Sequence, residues 1–359
     1  MAGQPGFFDS DERLRALSAA GDPLERLAAV IDFEVFRSDL EAALAGSDRV
    51  KGGRPPYDAV LMFKVLVLQS LYTLSDDQTE YQLKDRLSFR RFSGLALHEP
   101  VPDAKTIWLY CEHLARAGAT ERLFTRFDAL LRAEGWLAMG GQIIDATVIW
   151  ARRLRLTQTE KQTLKGGGTT TEWKPARPAQ IDHDGRWTIK HGKKREAAPG
   201  EGHQRQVEIA VPVFGYKNHI GIDREHGFLR RYTVTHAAAY DGGQLGAVLD
   251  RNNTASEVWA ATAYRSAANL TLLERRGLRA QFQRKKPRGK KMPAHIVRGN
   301  ANRAPVRSRV EHVFAAQKCS LGLIVRTIGM TRARVKIGLA NLAYNFTRLA
   351  WLDRRTVAA

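Results

Sequence analysis

Two acidic residues of this sequence occur in settings that suit metal-dependent chemistry. Asp145 lies in the middle of QIIDATV, between apolar neighbours, and Glu311 lies in RSRVEHVFAAQKCSLG, which has helical spacing. A buried carboxylate is costly unless a metal ion or a hydrogen-bond donor compensates for it. Carboxylates that hold two divalent metals about 3.5–4 Å apart can promote in-line displacement at a phosphodiester. The alternative for Asp145 is an acid at a strand end or one bonded to Thr147.

Glu311 is flanked by two basic residues at helical spacing. Arg307 precedes it by four positions and Lys318 follows it by seven, so all three side chains project from one face of a helix. A cation on each side of a metal-binding acid suits a scissile phosphate. Without the rest of the fold, the same spacing is more typical of a surface ion pair, which contributes little stability.

The composition of the chain favours a polyanionic partner. Its 359 residues include 57 Lys and Arg against 37 Asp and Glu, a formal net charge of +20, and such a surface attracts nucleic acid or an anionic membrane. Two cysteines, Cys111 and Cys319, exclude a disulfide framework and a four-cysteine zinc site. The first residues are too polar and acidic for a signal peptide, and the most apolar run, 60–74, is too short to span a bilayer. We therefore expect a soluble intracellular protein that meets nucleic acid.

The first 135 residues are predicted to form an all-α region. Asp22 followed by a proline, Ser75 followed three residues later by a glutamine, and Asp103 are predicted helix N-caps. The stretch KGGRPPY, 51–57, separates two helices, because its glycines and prolines cannot continue one. The helix predicted over 60–74 is almost wholly apolar, which indicates that it is buried.

From Gly140 onward the pattern changes to short segments rich in β-branched residues. The order is strand, insertion, strand, strand, helix, strand, helix, strand, helix, which matches an RNase H-like sheet better than a repeated βαβ unit. We therefore predict an α/β fold, with an RNase H-like mixed five-stranded sheet flanked by helices over 140–355, preceded by the all-α N-terminal region. The predicted strands are 141–151, 216–223, 228–236, 258–264 and 278–284, the insertion is 151–212, and 305–352 is mostly helical.

Two basic segments are predicted to contact DNA. Residues 283–306 are rich in Lys and Arg, and their Pro and Gly content predicts a loop beside Glu311 that tracks phosphates. Residues 184–195 add Trp187, which could stack on an unpaired base. The alternatives are a solvated basic loop and a packed tryptophan. His219 is interpreted as an ordinary strand histidine. The residues assigned to DNA binding are Arg186, Trp187, Lys190, Lys217, Arg284, Lys285, Lys286, Arg288, Lys290, Lys291, Arg307 and Lys318.

A resemblance to a known family extends, in order, over roughly residues 45–355. It is carried by the segments GRPPYDAVLMFKVLVLQSLYTLSDDQTEYQLKDRLSFRRFSGL, PDAKTIWLY, GGQIIDAT, DGRWTIKHGK, FGYKNHIGID, VWAATAYRS and RSRVEHVF…QK. Together these segments resemble the bacterial insertion-sequence transposases of the DDE type, and most closely the family numbered five.

The resemblance implies both an activity and its site. It implies an N-terminal helical region for DNA binding and dimerisation, a catalytic domain, and Mg²⁺- or Mn²⁺-dependent cleavage and strand transfer at inverted-repeat ends. The implied partners are double-stranded DNA, as element ends and as target, and a second copy of the chain, in the cytoplasm of a bacterium and at its nucleoid, with no membrane. Asp145 matches the first acid and Glu311 the glutamate, both as metal ligands, while Arg307 and Lys318 match the flanking basic positions.

One position departs from the family pattern. Ala261, in VWAATAY, stands where the family has its second aspartate, and a methyl group cannot bind a metal. The nearest upstream acid, Glu257, is four strand residues away, on the order of 13 Å, and Asp250 is interpreted as a helix end. We therefore expect little or no strand transfer, whether the alanine was engineered or arose by decay. The alternatives are a non-enzymatic DNA-binding derivative of a transposase and a metal-dependent nuclease.

Overall fold

In a computed structural model of the chain, eight α-helices precede the sheet among the residues that the structure describes. The structure describes residues 9–45, 55–154, 157–165, 174, 177–197, 204–287 and 289–357. Within these ranges the first helices are α1 (Asp9–Ala19), α2 (Pro23–Val30), α3 (Arg37–Leu44), α4 (Ala59–Leu71), α5 (Asp76–Asp85), α6 (Leu87–Ser93), α7 (Ala104–Arg116) and α8 (Ala119–Ala133).

The predicted N-caps of three of these helices are confirmed. The Asp22 carboxylate accepts a hydrogen bond from the backbone N–H of Leu24 at 2.9 Å, and Asp103 accepts one from Thr106 at 2.7 Å. Ser75 and Gln78 form the reciprocal capping box. Each cap satisfies backbone donors that the first helical turn leaves without a partner.

Six strands form one mixed sheet in the described residues: β1 (Gln142–Trp150), β2 (Arg186–Ala197), β3 (Gln204–Asp223), β4 (Leu229–His236), β5 (Glu257–Ala260) and β6 (Arg279–Phe282). β3 pairs antiparallel with both β1 and β4, and β5 pairs parallel with both β1 and β6. The order β4-β3-β1-β5-β6 confirms the predicted RNase H-like mixed sheet of five strands. β2 is an additional strand that pairs with the first half of β3.

Six further helices flank the sheet or follow it. They are α9 (Gln158–Lys165), α10 (Leu245–Val248), α11 (Ala267–Arg275), α12 (Ala294–Arg307), α13 (Arg309–Ala315) and α14 (Met330–Val357). A π turn over Ala316–Ser320 continues directly from α13.

Three predictions about this part of the chain need correction. The strand predicted over 258–264 ends at Ala260, because Thr262–Tyr264 form a 3-10 turn that buries the tyrosine ring. The insertion contains regular structure, since α9, β2 and the first half of β3 lie in it. The loop predicted over 283–306 extends only to Pro293, because the rest forms α12, in which Pro305 occupies the last turn.

One apolar core joins the N-terminal helices to the last helix. The ring of Phe346 in α14 contacts those of Phe33, Phe63 and Phe127 at centroid distances of 5.6, 6.5 and 4.8 Å. The N-terminal helical region, 1–135, and the predicted catalytic domain, 140–355, therefore share one apolar core.

A buried ion-pair network also links α8 to the sheet. Arg230 of β4, which is 1% exposed, contacts Asp128 of α8 at 3.2 Å and Asp223 of β3 at 3.1 Å. Breaking such a network strands a buried charge, so it holds the two regions in one arrangement.

Within the described ranges, no single helix is long and apolar enough to cross a membrane. The bent pair of α4 and α5 meets that requirement by length and composition alone, and most of α4 is buried in the protein core.

Candidate active site

Asp145 lies at the centre of β1, with its side chain on the face of the sheet that α12 and α13 cover. Its register partner on β3 is Ile220. One carboxylate oxygen accepts a hydrogen bond from the backbone N–H of Ala146 at 2.9 Å, and the other accepts one from Arg307 Nη1 at 2.8 Å. The side chain is only 14% exposed. Burial raises the pKa of Asp145 to about 6, although the backbone bond and Arg307 both oppose that rise.

Arg307 connects the two candidate acids. Its Nη1 atom lies 2.8 Å from Asp145 Oδ2 and 3.6 Å from Glu311 Oε1. Arg307, 162 positions after Asp145 in the chain, thus brings that acid together with Glu311 around one guanidinium group. The ion pair between Arg307 and Glu311 that the helical spacing predicts is present, but the shorter contact of the arginine is to Asp145.

Lys318 reaches the same face from the π turn. Its ammonium donates a hydrogen bond to the hydroxyl of Thr147, which lies two residues from Asp145 and therefore on the same side of β1. Burial, with a smaller contribution from nearby Lys190, lowers the pKa of Lys318. Thr147 thus bonds Lys318, and the predicted alternative of a bond between Thr147 and Asp145 does not form.

A buried ring of amides holds the π turn. Gln317 donates to Asn341 of α14 at 2.7 Å, and Asn218 of β3 donates to Asn341 at 2.8 Å and to Gln317 at 3.3 Å. All three side chains are fully buried. Since a π turn widens a helix by one residue per turn and recurs at functional sites, this ring fixes where Lys318 projects.

The sequence analysis missed this ring, but the sequence contains a signal for it. Asn341 and Asn345 lie four residues apart in ANLAYNF, on an otherwise apolar stretch of α14. Polar residues that repeat on a buried helix face predict partners on the neighbouring element.

Ala261, which the family resemblance predicts to stand at the position of the second aspartate, directly follows the strand that pairs with β1. The ladder between β1 and β5 ends with the pair Ile144 and Ala260, so Asp145 and Ala261 occupy the next positions. The backbone of Ala261 is still extended, with φ −68° and ψ 170°. Because successive strand residues project to opposite faces, strand parity predicts that its methyl group is on the face of Asp145, while Ala261 also packs against the cluster that contains Ile144 and Ala260.

No other carboxylate takes that place among the described residues. Glu257 lies at the start of β5, four residues away. Asp250 is buried and its Oδ1 lies 3.7 Å from Arg132. Asp241 raises the pKa of Asp145, but it pairs with Lys217 at 2.7 Å. Lys217 differs in strand parity from Ile220, the partner of Asp145, so Asp241 approaches the opposite face.

Lys217 and His219 therefore lie away from the other candidate residues. Lys217 Nζ donates to the carbonyl of Ala239 and to Asp241, both at 2.7 Å. His219 is fully buried and its Nε2 bonds Thr235 at 2.8 Å. Burial lowers the pKa of His219 to about 4, as suits a neutral strand histidine.

The other predicted DNA contacts lie on exposed surface. Trp187 is half-exposed, with Phe214 at a ring distance of 5.6 Å and the guanidinium of Arg153 at 5.2 Å. Asn300 of α12 donates to and accepts from the backbone of Arg284, at 2.9 Å each, which ties the basic loop to α12. Arg288 lies outside the described residues. The exposed basic residues are Arg186, Lys190, Arg284, Lys285, Lys286, Lys290 and Lys291.

The sheet order, with an acid at the centre of its first strand, defines the class of α/β proteins with an RNase H-like fold. Residues 137–346 match the family model described as Transposase DDE domain, and residues 12–113 match the one described as Transposase domain (DUF772). The chain therefore belongs to the DDE transposase family. No solved structure matches the chain.

The DDE family typically uses a divalent metal, and the residues present do not fit a pair of such ions. Ala261 offers no oxygen, and the guanidinium of Arg307 lies against both remaining carboxylates. In the described ranges no group of three or more His, Cys, Asp or Glu side chains could hold a metal ion. The charges of Asp145 and Glu311 are balanced by those of Arg307 and Lys318.

Proposed function

We propose that this chain is an insertion-sequence transposase of the family numbered five that binds inverted-repeat DNA ends but has lost nearly all strand transfer. The observation that supports the proposal is the register of β1 and β5, whose last pair, Ile144 and Ala260, directly precedes Asp145 and Ala261. Family membership supports the DNA substrate, and the net charge of +20 supports its binding.

The DNA would lie across the face that carries Asp145 and Glu311. Lys190 of β2 is close enough to Lys318 to lower its pKa, and the exposed cations of the loop that precedes α12 suit contacts with phosphates. Trp187 is open on part of its ring and suits stacking on a base. By family resemblance the chain acts as a homodimer on two ends, in the bacterial cytoplasm and at the nucleoid.

The loss of strand transfer follows from the missing ligand. A shared carboxylate contributes several kcal/mol of transition-state stabilisation in metal-assisted phosphodiester chemistry, which is roughly three decades in rate at ~1.4 kcal/mol per decade. Asp145 and Glu311 remain, but their nearest cation is Arg307.

A non-enzymatic DNA-binding derivative is the second candidate function. The ion pairs of Arg307 favour it, because they neutralise Asp145 and Glu311 without a bound metal. The two candidates differ in one respect: restoring the acid revives cleavage only in a transposase whose other residues are still competent.

The test compares binding and cleavage of duplexes that carry the element's terminal repeats. We expect the parent chain to shift these duplexes in a gel, and Ala261→Asp to cut them roughly a thousandfold faster than the parent. Thr262→Asp is the matched control, because it adds the same charge one position later on an exposed residue. Parent cleavage as fast as that of the Asp variant, or no binding of the ends, would refute the proposal. Binding without cleavage by the Asp variant selects the non-enzymatic derivative.

A further inference from the structure

We propose that Arg307 is the resident cation of this site: it neutralises Asp145 and Glu311 in place of a divalent ion and keeps the site's affinity for metals low. One consequence is that the chain binds DNA ends without a metal ion, and this consequence rests on the proposed function. The metal consequence does not, because it concerns only the side chains of the site.

The geometry places the guanidinium where both acids can use it. A single nitrogen, Nη1, makes the contacts of 2.8 and 3.6 Å. The buried Nε of Arg307 has no hydrogen-bond partner among the described residues, so the carboxylates supply the contacts that hold the group.

The charge balance explains why a metal would bind weakly. Asp145 and Glu311 carry two negative charges, and Arg307 and Lys318 carry two positive ones. An aspartate at position 261 would leave an excess of one negative charge, whereas Ala261 leaves none. Mg²⁺ is costly to dehydrate, and a cluster without net negative charge does not offset that cost, so we expect weak binding. Ala261 and Arg307 thus act in the same direction.

A neighbouring arginine offers a matched control. Arg303 lies one turn earlier on α12, where its Nε donates to Gln281 at 3.2 Å. Its substitution removes the same charge from the same helix without uncovering Asp145 or Glu311. Arg307→Lys is the second comparison, since it keeps the charge and loses the planar shape.

The experiment measures Mn²⁺ binding to the full chain by titration calorimetry and by the electron spin resonance of free Mn²⁺. We expect Arg307→Gln to bind Mn²⁺ at least about tenfold more tightly than the parent, because an uncompensated carboxylate attracts a dication strongly at this range. Arg303→Gln and Arg307→Lys should stay within about twofold of the parent. Equal affinity of Arg307→Gln and the parent overturns the proposal.

A second variant keeps the test decisive if Arg307→Gln fails to fold. Ala261→Asp retains Arg307 and adds the negative charge directly, so it should also tighten Mn²⁺ binding at least several-fold. Failure of this variant to bind more tightly than Thr262→Asp would overturn the charge argument.

A DNA-binding measurement separates this inference from the proposed function. The parent should bind end duplexes equally well, within about twofold, in EDTA and in Mg²⁺ at matched ionic strength. Binding that requires Mg²⁺ overturns the inference and leaves the proposed function standing. No DNA binding under either condition, together with the expected Mn²⁺ results, refutes the proposed function and supports the inference.

Discussion

The two sides of the candidate site differ in what holds them. Where β1 meets α12 and the π turn, polar contacts hold the charged groups: Arg307 donates to Asp145, and Lys318 donates to the hydroxyl of Thr147. Where β5 ends, the residue beside Asp145 is Ala261, yet the backbone follows the same ladder. The ring of Tyr264, three residues on, is buried with Leu245 and Val248. Apolar packing therefore holds the β5 end, and the side chain at 261 can change without loss of the fold.

The largest effect on stability is expected at Tyr264, whose ring anchors the apolar side of the site. Tyr264→Ala should lower the free energy of unfolding by about 4 kcal/mol, because it removes a fully buried ring and leaves a cavity. The hydroxyl of Tyr264 is buried without a hydrogen-bond partner in the described residues. Tyr264→Phe should therefore change stability by less than about 0.5 kcal/mol. Urea denaturation measures both, and equal stability of the two variants would show that the ring does not anchor this end.

The polar side of the site has its own anchor in the amide ring. Asn341→Leu should cost about 3 kcal/mol, because it leaves the buried amides of Asn218 and Gln317 without a shared acceptor. Thr347→Ala, on the exposed face of the same helix, is the control and should cost less than about 0.5 kcal/mol. Denaturation of the two variants side by side tests this, and a stable Asn341→Leu would mean that the π turn is held by packing instead.

The sequence predicted the backbone of the site better than its contacts. Short segments rich in β-branched residues predicted the strand order, and the resemblance to the family identified Ala261 as the position of its second acid. The predicted end of β5 was wrong, because Thr262 and Tyr264 individually suit a strand, whereas the burial of Tyr264 against α10 turns the chain there. The extent of α12 was also wrong, since its glycine and proline content outweighed its helical spacing in the prediction.

The contact between Arg307 and Asp145 depends on docking that no local pattern encodes. Helical spacing predicts that Arg307 pairs with Glu311, four residues away. The structure gives Arg307 a closer partner in Asp145, 162 residues away, because α12 packs across the β1–β5 face. The placement of a helix on a sheet is a property of the whole core, so this contact could not be predicted from the residues that make it.

The two faces of the sheet can be compared through their dependence on pH. The pKa of His219 is lowered to about 4 by burial, so the unfolded chain takes up its proton first and stability falls as the pH drops below 6.5. Lys217 and Asp241 face the ring and act in opposite directions. The pKa of Asp145 is raised to about 6. The folded chain therefore takes up this proton first, and protonation of Asp145 stabilises the folded state as the pH falls over the same range.

Substitution separates these opposing contributions. From pH 7 to pH 5, the parent should lose about 2 kcal/mol more stability than His219→Gln. Asp145→Asn should remove the opposite contribution, so its stability should fall by about 1 kcal/mol more than that of the parent. Urea denaturation at both pH values provides the measurement. Parallel pH profiles for all three chains would contradict the burial of both groups.

The smallest effect of a substitution on stability is expected at Glu311, and this small effect would distinguish Glu311 from the buried Asp145. The side chain of Glu311 is 58% exposed and its contact with Arg307 is the longer one. Glu311→Gln should therefore change stability by less than about 0.5 kcal/mol, and by less still at high salt, where an exposed pair is screened. Urea denaturation at low and high ionic strength measures this. A cost above about 1.5 kcal/mol that persists in salt would place Glu311 among the groups that hold α13 to β1. A small cost leaves its carboxylate without a role in the fold, which agrees with the role that we propose for it at the candidate site.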